Sequence, residues 1–252
     1  MRPSELEKMF KLEDTYWWFV ARRRLVRDLL LRYRPTRTAG ADKTRLRILD
    51  VGCGTGATLH VLDQLGDVVG MDNSRDALAF SRRRGRYRLA RAQGEALPVR
   101  SGSVDVITAL DLLEHVPDDA AAVVEFARAL RPGGVLLVTV PALPWLWSQH
   151  DEALDHLRRY SAARLRSLLL GAGLEIRRLS PVIALLLPPI ALLRSLQRLR
   201  RKPHGRPETA FIVPPAPINF LLIGLLWLEN RWALRWNLPL GVSLLAVARK
   251  AE

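Results

Sequence analysis

Short apolar runs alternate with amphipathic stretches through most of this chain. Runs rich in Val, Ile and Leu predict buried strands, whereas stretches whose apolar residues recur every three or four positions predict helices. The predicted strands are residues 46–51, 68–71, 87–90, 104–110, 135–140, 174–179 and 242–248. Regular alternation of strands and helices is typical of a parallel sheet with helices on both faces. The pattern therefore predicts an α/β fold.

The first 44 residues stand apart from this alternation. A single helix is predicted over residues 5–34, because its apolar residues recur on one side. At its centre is the run Tyr16-Trp17-Trp18-Phe19, and four consecutive aromatic residues cannot all face one core. Two interpretations stay open: a helix packed across the domain edge, or a lid whose aromatic side chains line a substrate pocket. A polar loop is predicted over residues 35–43.

Residues 181–239, between the last two predicted strands, also differ from the rest. They include a basic run, Arg194 to Arg206, that contains no acidic residue. The uncharged stretch 209–228 is as long as a membrane span, but prolines leave only 218–228 as regular helix, which is too short to cross. We therefore expect a segment that lies on a membrane or walls an apolar pocket. An ordinary buried helical subdomain is the alternative.

These patterns divide one domain, residues 1–252, into four parts. They are an N-terminal helical lid (1–44), a core (45–180), an apolar and basic insertion (181–239) and the final strand (240–252).

The chain is strongly basic, with a formal net charge of +14. This charge favours an anionic partner, either nucleic acid or a membrane surface, unless it reflects a general use of arginine in place of lysine. Cys53 is the single cysteine, so neither a disulfide framework nor a zinc cluster of cysteines is expected. A single cysteine is consistent with a reducing, cytoplasmic location. Residues 1–10 are charged and lack an apolar centre, which argues against a secretory signal.

A glycine-rich turn after the first predicted strand is the strongest chemical signal. Residues 48–56 read Ile-Leu-Asp-Val-Gly-Cys-Gly-Thr-Gly, and a helix is predicted from Ala57 to Leu65. Glycines let the backbone approach a ligand closely, and the N–H groups of the following helix point at the same place. Asp72, at the end of the second strand, is placed to accept hydrogen bonds from a ribose. The glycine spacing is not that of dinucleotide folds, which favours a mononucleoside-type ligand over NAD.

Five blocks resemble, in this order, those of class I S-adenosylmethionine-dependent methyltransferases. They are Ile48 to Gly56, Gly70 to Ser74, Glu95 to Pro98, Leu113 to Val116 and Leu130 to Gly134. The aromatic run at 16–19 and the block Leu-Trp-Ser-x-His-Asp…His-x-Arg-Arg-Tyr at 146–160 also resemble a bacterial subgroup of the type 11/12 methyltransferases. The resemblance implies a Rossmann-like sheet of seven strands, the last antiparallel, and S-adenosylmethionine as cofactor.

The resemblance also implies roles for individual residues around that cofactor. Asp50 and residues 52–56 would surround its methionine part, and Asp72 would hold both ribose hydroxyls. Gln93 replaces an acid that often contacts the adenine amino group, and its carbonyl oxygen can still accept that hydrogen bond. Asp111 would face the sulfonium. The predicted cofactor set is Asp50, Gly52, Cys53, Gly54, Gly56, Asp72, Asn73, Gln93, Gly94, Glu95, Asp111 and Leu112.

Three of the five histidines follow predicted strand ends, on the edge where ligands bind in open α/β sheets. Histidine can remove a proton from an acceptor at neutral pH. The predicted catalytic set is His115, His150, Asp151, His156 and Tyr160; the alternative is that the histidines brace their loops through hydrogen bonds. A metal site built from Glu114, His115 and Asp151 is conceivable, but the spacing does not favour it, and no metal is predicted.

The substrate is expected to contact aromatic and basic side chains on the same edge. Arg158 and Arg159 would hold an anionic group such as phosphate or carboxylate. The predicted substrate set is Tyr16, Trp17, Phe19, Trp147, Arg158 and Arg159.

The position of the insertion favours one class of acceptor. In the fold that the resemblance implies, strand six ends and strand seven begins at the cofactor edge, so residues 181–239 emerge at the substrate mouth. We therefore predict methyl transfer to O or C of a hydrophobic or lipid-linked small molecule, with peripheral contact at the inner face of the membrane. The alternatives are an RNA methyltransferase, which the charge permits but no appended module supports, and a protein that binds the cofactor without turnover. A dehydrogenase is the weakest alternative.

Overall fold

The computed structural model describes residues 3–35, 45–199 and 213–252. Their central element is a seven-stranded sheet. Its strands are β1 (Leu46–Val51), β2 (Gly66–Asp72), β3 (Arg88–Arg91), β4 (Val104–Leu110), β5 (Leu130–Pro141), β6 (Leu174–Val182) and β7 (Ser243–Lys250). Their order across the sheet is β3-β2-β1-β4-β5-β7-β6. Neighbours among β1 to β5 are parallel, whereas β7 runs antiparallel to β5 and β6. The predicted sheet with an antiparallel last strand is confirmed.

Helices cover both faces of this sheet. Within the described ranges they are α1 (Pro3–Leu12), α2 (Trp17–Arg32), α3 (Leu59–Asp63), α4 (Arg75–Arg84), α5 (Asp119–Ala129), α6 (Gln149–Ala153), α7 (Ala162–Gly171), α8 (Leu187–Leu199) and α9 (Ala216–Ala233). Successive side chains of a strand point to opposite faces of the sheet, where they join two apolar clusters. One contains Phe126 of α5 and Leu165 of α7, and the other contains Leu29 of α2 and Leu59 of α3. The predicted helices on both faces are therefore present.

The prediction of one helix over residues 5–34 is wrong. The chain turns between α1 and α2, at residues 13–16. Glu13 points inward from this turn and is buried, and the Thr55 hydroxyl donates a hydrogen bond to its carboxylate. Burial raises the pKa of Glu13, although Thr55 and Arg84 oppose the shift. The turn therefore fixes the N-terminal helices to the glycine-rich turn after β1.

Arg84 makes the same connection from α4. A run of three arginines, Arg82-Arg83-Arg84, is expected to be exposed to solvent. Arg82 and Arg83 are exposed. The expectation is wrong for Arg84, whose side chain is only 10% exposed and pairs with Glu13 at 3.1 Å. Arg84 also donates to the Thr55 and Phe10 carbonyl oxygens, at 2.8 Å in each case.

The insertion packs on the N-terminal helices and forms one layer with them. Asn219 of α9 accepts a hydrogen bond from the Trp17 N–H at 3.0 Å and donates to the Thr15 carbonyl at 2.8 Å. Farther along α9, Asn230 donates to the Ala21 carbonyl at 3.1 Å. These polar contacts fix α9 against the start of α2. Helix α9 (Ala216–Ala233) is longer than the helix predicted over residues 218–228.

Two predicted features lie outside the described residues. They are most of the polar loop 35–43 and the part of the basic run from residue 200 onward. Among the residues that the structure does describe, no helix is both long enough and apolar enough to cross a bilayer.

Candidate active site

A cavity of about 840 Å³ opens at the carboxyl ends of β1, β2 and β4, a size typical of small-molecule sites. The predicted site residues that line it are Tyr16, Trp17, Phe19, Asp50, Gly52, Cys53, Gly54, Asp72, Asn73, Gln93, Gly94, Glu95, Asp111, Leu112, His115, His150, His156 and Arg159. The predicted residues that lie outside its lining are Gly56, Trp147, Asp151, Arg158 and Tyr160. The structure thus brings most of the predicted cofactor and substrate residues to one cavity.

The glycine turn has the backbone shape of a ligand cradle. Gly52 and Gly54 adopt φ values of +73° and +56°, which side-chain-bearing residues rarely adopt. A Cβ atom at Gly52 would lie 2.8 Å from the Leu112 side chain and would narrow the cavity. Gly56 has another role, because a Cβ there would collide with Ser81 of α4. The helix that follows, α3, is shorter than the predicted helix over residues 57–65.

Asp50 lies beneath this turn and makes the stability of the protein depend on pH. It is buried and accepts a hydrogen bond from Thr108 Oγ1 at 2.6 Å. Burial raises the pKa of Asp50 to about 7, although the Thr108 hydroxyl opposes the shift. In the unfolded chain an aspartate loses its proton near pH 4, roughly. The folded chain therefore retains an extra proton between these values, and its stability falls as the pH rises through that interval.

We expect Asp50→Asn to remove most of this pH dependence, because the amide does not titrate. On going from pH 5 to pH 8 without cofactor, the melting temperature of the wild type should fall several degrees more than that of the variant, at roughly 2–4 °C per kcal/mol for a chain of this size. Thermal unfolding at the two pH values measures the difference. Asp76→Asn, at an exposed position of α4, is the matched control. Parallel curves for the wild type and Asp50→Asn would contradict the assignment.

Asp72 is held in place by backbone donors and presents its carboxylate to the cavity. It accepts hydrogen bonds from the Gly54 N–H at 2.9 Å and from the Ser74 N–H at 2.8 Å. Ser74 in turn caps α4 by accepting from the Ala77 N–H at 3.2 Å. Burial raises the pKa of Asp72, and these backbone donors oppose the shift. A glycine cradle beside a fixed carboxylate fits the nucleoside part of the implied cofactor.

Asp111 stands opposite the turn in a strained backbone conformation. Its φ of +52° is unusual for a non-glycine residue. Thr139 Oγ1 donates to its Oδ1 at 2.9 Å, and Arg22 of α2 forms an ion pair with Oδ2. Arg22 also lines the cavity. The sequence offered a signal for Arg22 in the Arg22-Arg23-Arg24 run after the aromatic residues, but it did not show that the contact spans 89 positions.

The lid and the insertion supply the apolar part of the cavity. From the lid come Leu6, Met9, Tyr16, Trp17, Trp18 and Phe19, and from the insertion come Leu186, Pro189, Ile190, Leu193, Pro214 and Leu222. The predicted emergence of the insertion at the mouth of the site is therefore observed. The interpretation of the aromatic run as packing at a domain edge is also partly correct, because Tyr16, Trp17 and Phe19 form a buried cluster with Leu226 of α9.

Burial keeps two histidines of the cavity wall, His115 and His150, uncharged. Burial lowers the pKa of His115 to about 4, and the neighbouring His156 adds to the effect. Burial likewise lowers the pKa of His150 to about 3, together with Arg194. Both imidazoles are therefore uncharged at neutral pH, and burial makes each a weaker base than a solvated histidine.

Asp151 and Tyr160, both predicted to be catalytic, lie behind this wall. Asp151 accepts from the Ser148 N–H at 2.9 Å and from Arg159 Nε at 2.8 Å. Burial alone raises the pKa of Asp151, but hydrogen bonds from His156 and Arg159 outweigh it and leave that pKa well below its usual range. The fully buried Tyr160 hydroxyl lies 2.8 Å from Asp119 Oδ2. This hydroxyl therefore belongs to the core, and Asp151 acts as a support.

Two predicted substrate residues also lie outside the cavity lining. Arg158 forms an ion pair with Asp119 at 3.0 Å and donates to the Pro117 carbonyl at 2.9 Å. Trp147 is half-buried next to the short 3-10 turn Pro144–Leu146. Arg159 does line the cavity, although its guanidinium is shared between Asp151 and the Ala142 carbonyl. Of the predicted anion-binding pair, Arg159 alone faces the cavity.

The sequence of this chain is similar to those of known methyltransferases. Residues 49–138 match the family described as a methyltransferase domain. A protein of Mycolicibacterium smegmatis named as an S-adenosylmethionine-dependent methyltransferase is 34% identical over 168 residues, which cover 65% of this chain and 61% of that protein. A ubiquinone biosynthesis O-methyltransferase of Thiobacillus denitrificans is 38% identical over 117 residues, 43% of this chain and 49% of that protein. The chain spans about half to three fifths of the length of these two relatives.

Solved structures share the fold over nearly the whole chain. An S-adenosylmethionine-dependent methyltransferase of Thermotoga maritima has a TM-score of 0.61 at 17% identity and covers 98% of this chain and 95% of its own. The [4+2]-cyclase SpnF has a TM-score of 0.55 at 23% identity, covering 90% and 80%. At such identities the likeness establishes the fold alone. Residues 49–138 of this chain thus match the methyltransferase domain, within a fold shared with a solved S-adenosylmethionine-dependent methyltransferase.

Proposed function

We propose that the protein transfers a methyl group from S-adenosylmethionine to an oxygen of a hydrophobic or lipid-linked small molecule. The observation that carries this proposal is the continuity of one cavity. It begins at the glycine turn and Asp72, passes the histidines, and ends among the apolar side chains of α2, α8 and α9. Several relatives named as ubiquinone biosynthesis O-methyltransferases favour an oxygen acceptor.

Different residues of the site would have different roles in such a reaction. When bound, S-adenosylmethionine would supply an electrophilic methyl group, with its sulfur as the leaving group. Gly52, Gly54 and Asp72 would hold the cofactor, and the aromatic side chains of α2 would align the acceptor. A histidine of the cavity wall takes the proton that the acceptor hydroxyl loses. Apolar side chains of the lid and the insertion line the part of the cavity where the acceptor would lie.

Methyl-labelled S-adenosylmethionine tests the proposal directly. The protein is incubated with the label and separated membrane and soluble fractions of a bacterial extract, and the products are resolved by solvent extraction. We expect label in the lipid-soluble fraction, and none when Asp72→Ala replaces the wild type. Label confined to RNA would contradict the proposal and support the alternative acceptor. Tight cofactor binding without transfer to either fraction would support a non-catalytic role.

The outer face of the insertion is suited to the surface of an anionic membrane. On α9, Phe220 and Trp232 are 70% and 62% exposed, although large apolar side chains are usually buried. Arg231 stacks over Trp227 with its guanidinium carbon 5.1 Å from the ring centroid. Arginine beside tryptophan on an apolar helix is typical of an interfacial position. Because the opposite face of α9 reaches the cavity through Leu222, a lipid-linked acceptor would enter from the membrane.

We expect the full chain to sediment with vesicles that contain anionic lipid, and Phe220→Asp and Trp232→Asp each to lower the bound fraction. Removing one apolar side chain from the interface should weaken binding about tenfold, since its full burial contributes roughly 1.5–3 kcal/mol. Leu170→Asp is the matched control, because Leu170 is an apolar residue of α7 that is 52% exposed outside the insertion. Equal sedimentation of all three variants would contradict a docking role for α9. Sedimentation with neutral vesicles alone would contradict the role of the basic side chains.

A further inference from the structure

Three side chains that can bind a metal ion meet at one wall of the cavity. Glu114 and His115 belong to the short 3-10 turn Leu113–His115 after β4, and His156 follows α6. One ligand atom of each lies within 4.8 Å of the other two. The rings of His115 and His156 meet edge to face with their centroids 4.8 Å apart. All three residues line the cavity.

The carboxylate of Glu114 lacks the partners that a buried carboxylate normally has. Glu114 is completely buried. Neither of its oxygens accepts a hydrogen bond from any residue that the structure describes. Buried polar groups are nearly always hydrogen-bonded, and buried charges are paired or coordinate metals. The Glu114 carboxylate is therefore available to coordinate an ion together with the two neighbouring imidazoles.

A second carboxylate fixes the orientation of His156. The His156 Nδ1 atom lies 3.0 Å from Asp151 Oδ1, which leaves Nε2 as the ligand atom. Asp151 is itself fixed by the Ser148 N–H and by Arg159. An acid that holds the second nitrogen of a ligating imidazole is a regular feature of metal sites. The set considered from the sequence alone placed Asp151 among the ligands, whereas the structure places it behind His156.

We propose that Glu114, His115 and His156 bind one divalent transition-metal ion. One carboxylate and two imidazoles form a donor set that suits Zn²⁺, Fe²⁺ or Mn²⁺, whereas Mg²⁺ and Ca²⁺ prefer oxygen ligands. Metal–ligand bonds of about 2.0–2.2 Å require small inward rotations of these side chains. Three protein ligands leave a coordination position open toward the cavity. There the ion would bind the acceptor oxygen and make its hydroxyl more acidic, a role that rests on the proposed function.

Cobalt(II) is a suitable probe, because its visible absorption reports a site of mixed nitrogen and oxygen ligands. The full chain, without a polyhistidine tag, is treated with chelator and titrated with Co²⁺ in the absence of cofactor and acceptor. We expect one Co²⁺ per chain, confirmed by elemental analysis after dialysis. Glu114→Gln and His156→Gln should each weaken binding more than tenfold, and Asp151→Asn by about 10–100-fold. Circular dichroism checks that each variant is folded.

His60→Gln is the control, because His60 is exposed on α3 and lies outside the cavity lining. It should bind Co²⁺ as the wild type does. Absence of a bound ion in the wild type would overturn the proposal. So would equal affinity of the wild type, Glu114→Gln and His156→Gln, since the ion would then occupy another site.

Labelled methyl transfer, measured separately, distinguishes this inference from the proposed function. If Co²⁺ binds with the expected variant pattern but no fraction becomes labelled, the metal site stands and the proposed function fails. If label is transferred at the same rate with and without chelator and no Co²⁺ is bound, the proposed function stands and the metal site is overturned.

Discussion

Replacing Asp72 with alanine is expected to weaken S-adenosylmethionine binding by about 100-fold or more. A carboxylate that accepts from two ribose hydroxyls makes two hydrogen bonds to a charged group, each contributing about 1.5–3 kcal/mol, and each 1.4 kcal/mol is a factor of ten. The Gly54 and Ser74 N–H groups already hold this carboxylate in place, so the cofactor need not order it. Isothermal titration calorimetry on the full chain measures the loss.

Two further variants separate this effect from a general loss of structure. Asp76→Ala changes an exposed aspartate four positions along the chain, in the first turn of α4, and should leave the affinity unchanged. Asp72→Asn keeps one acceptor oxygen and should lie between the wild type and the alanine variant. If Asp72→Ala binds the cofactor as the wild type does while it melts normally, Asp72 has no role in binding.

The parts of the site that could be predicted from the sequence are encoded within short segments. A strand, a glycine turn and a helix follow one another over residues 46–63, and the acid after β2 belongs to the next strand. Because parallel strands end at one sheet edge, segments far apart in sequence reach the same cavity without any knowledge of their contacts. This is why Gly52, Asp72, Gln93 and His115 were all placed on the correct edge.

The parts that could not be predicted depend on single contacts between distant side chains. The ion pair of Arg22 with Asp111 joins α2 to the end of β4, and Asn230 joins α9 to α2. Helical periodicity assigns a residue to a face but does not identify its partner across the domain. The same limit explains Tyr160, whose position in a loop block suggested catalysis but whose hydroxyl meets Asp119 in the core.

Replacing Arg84 with alanine is expected to destabilise the fold by about 3–5 kcal/mol, the usual cost of removing one partner of a buried ion pair. The Glu13 carboxylate would stay buried with the Thr55 hydroxyl but without its guanidinium partner. The Thr55 and Phe10 carbonyl oxygens would each lose a donor. Urea unfolding followed by circular dichroism measures the change. Arg82→Ala, an exposed arginine on the same helix, should change stability by less than about 0.5 kcal/mol.

A second substitution identifies the cause of the loss. Glu13→Gln in the Arg84→Ala background removes the uncompensated charge, so the double variant should be more stable than Arg84→Ala alone. Because residues 13–16 lead directly into the aromatic side chains of α2, the same cycle also tests whether this ion pair holds the lid closed. Arg84→Ala should expose the tryptophans next to the turn and shift their fluorescence to longer wavelength below the unfolding transition, and Glu13→Gln should partly reverse the shift. A double variant no more stable than Arg84→Ala would show that the other contacts of Arg84, with two carbonyl oxygens, Asp14 and the Phe10 ring, carry the effect instead of the buried charge.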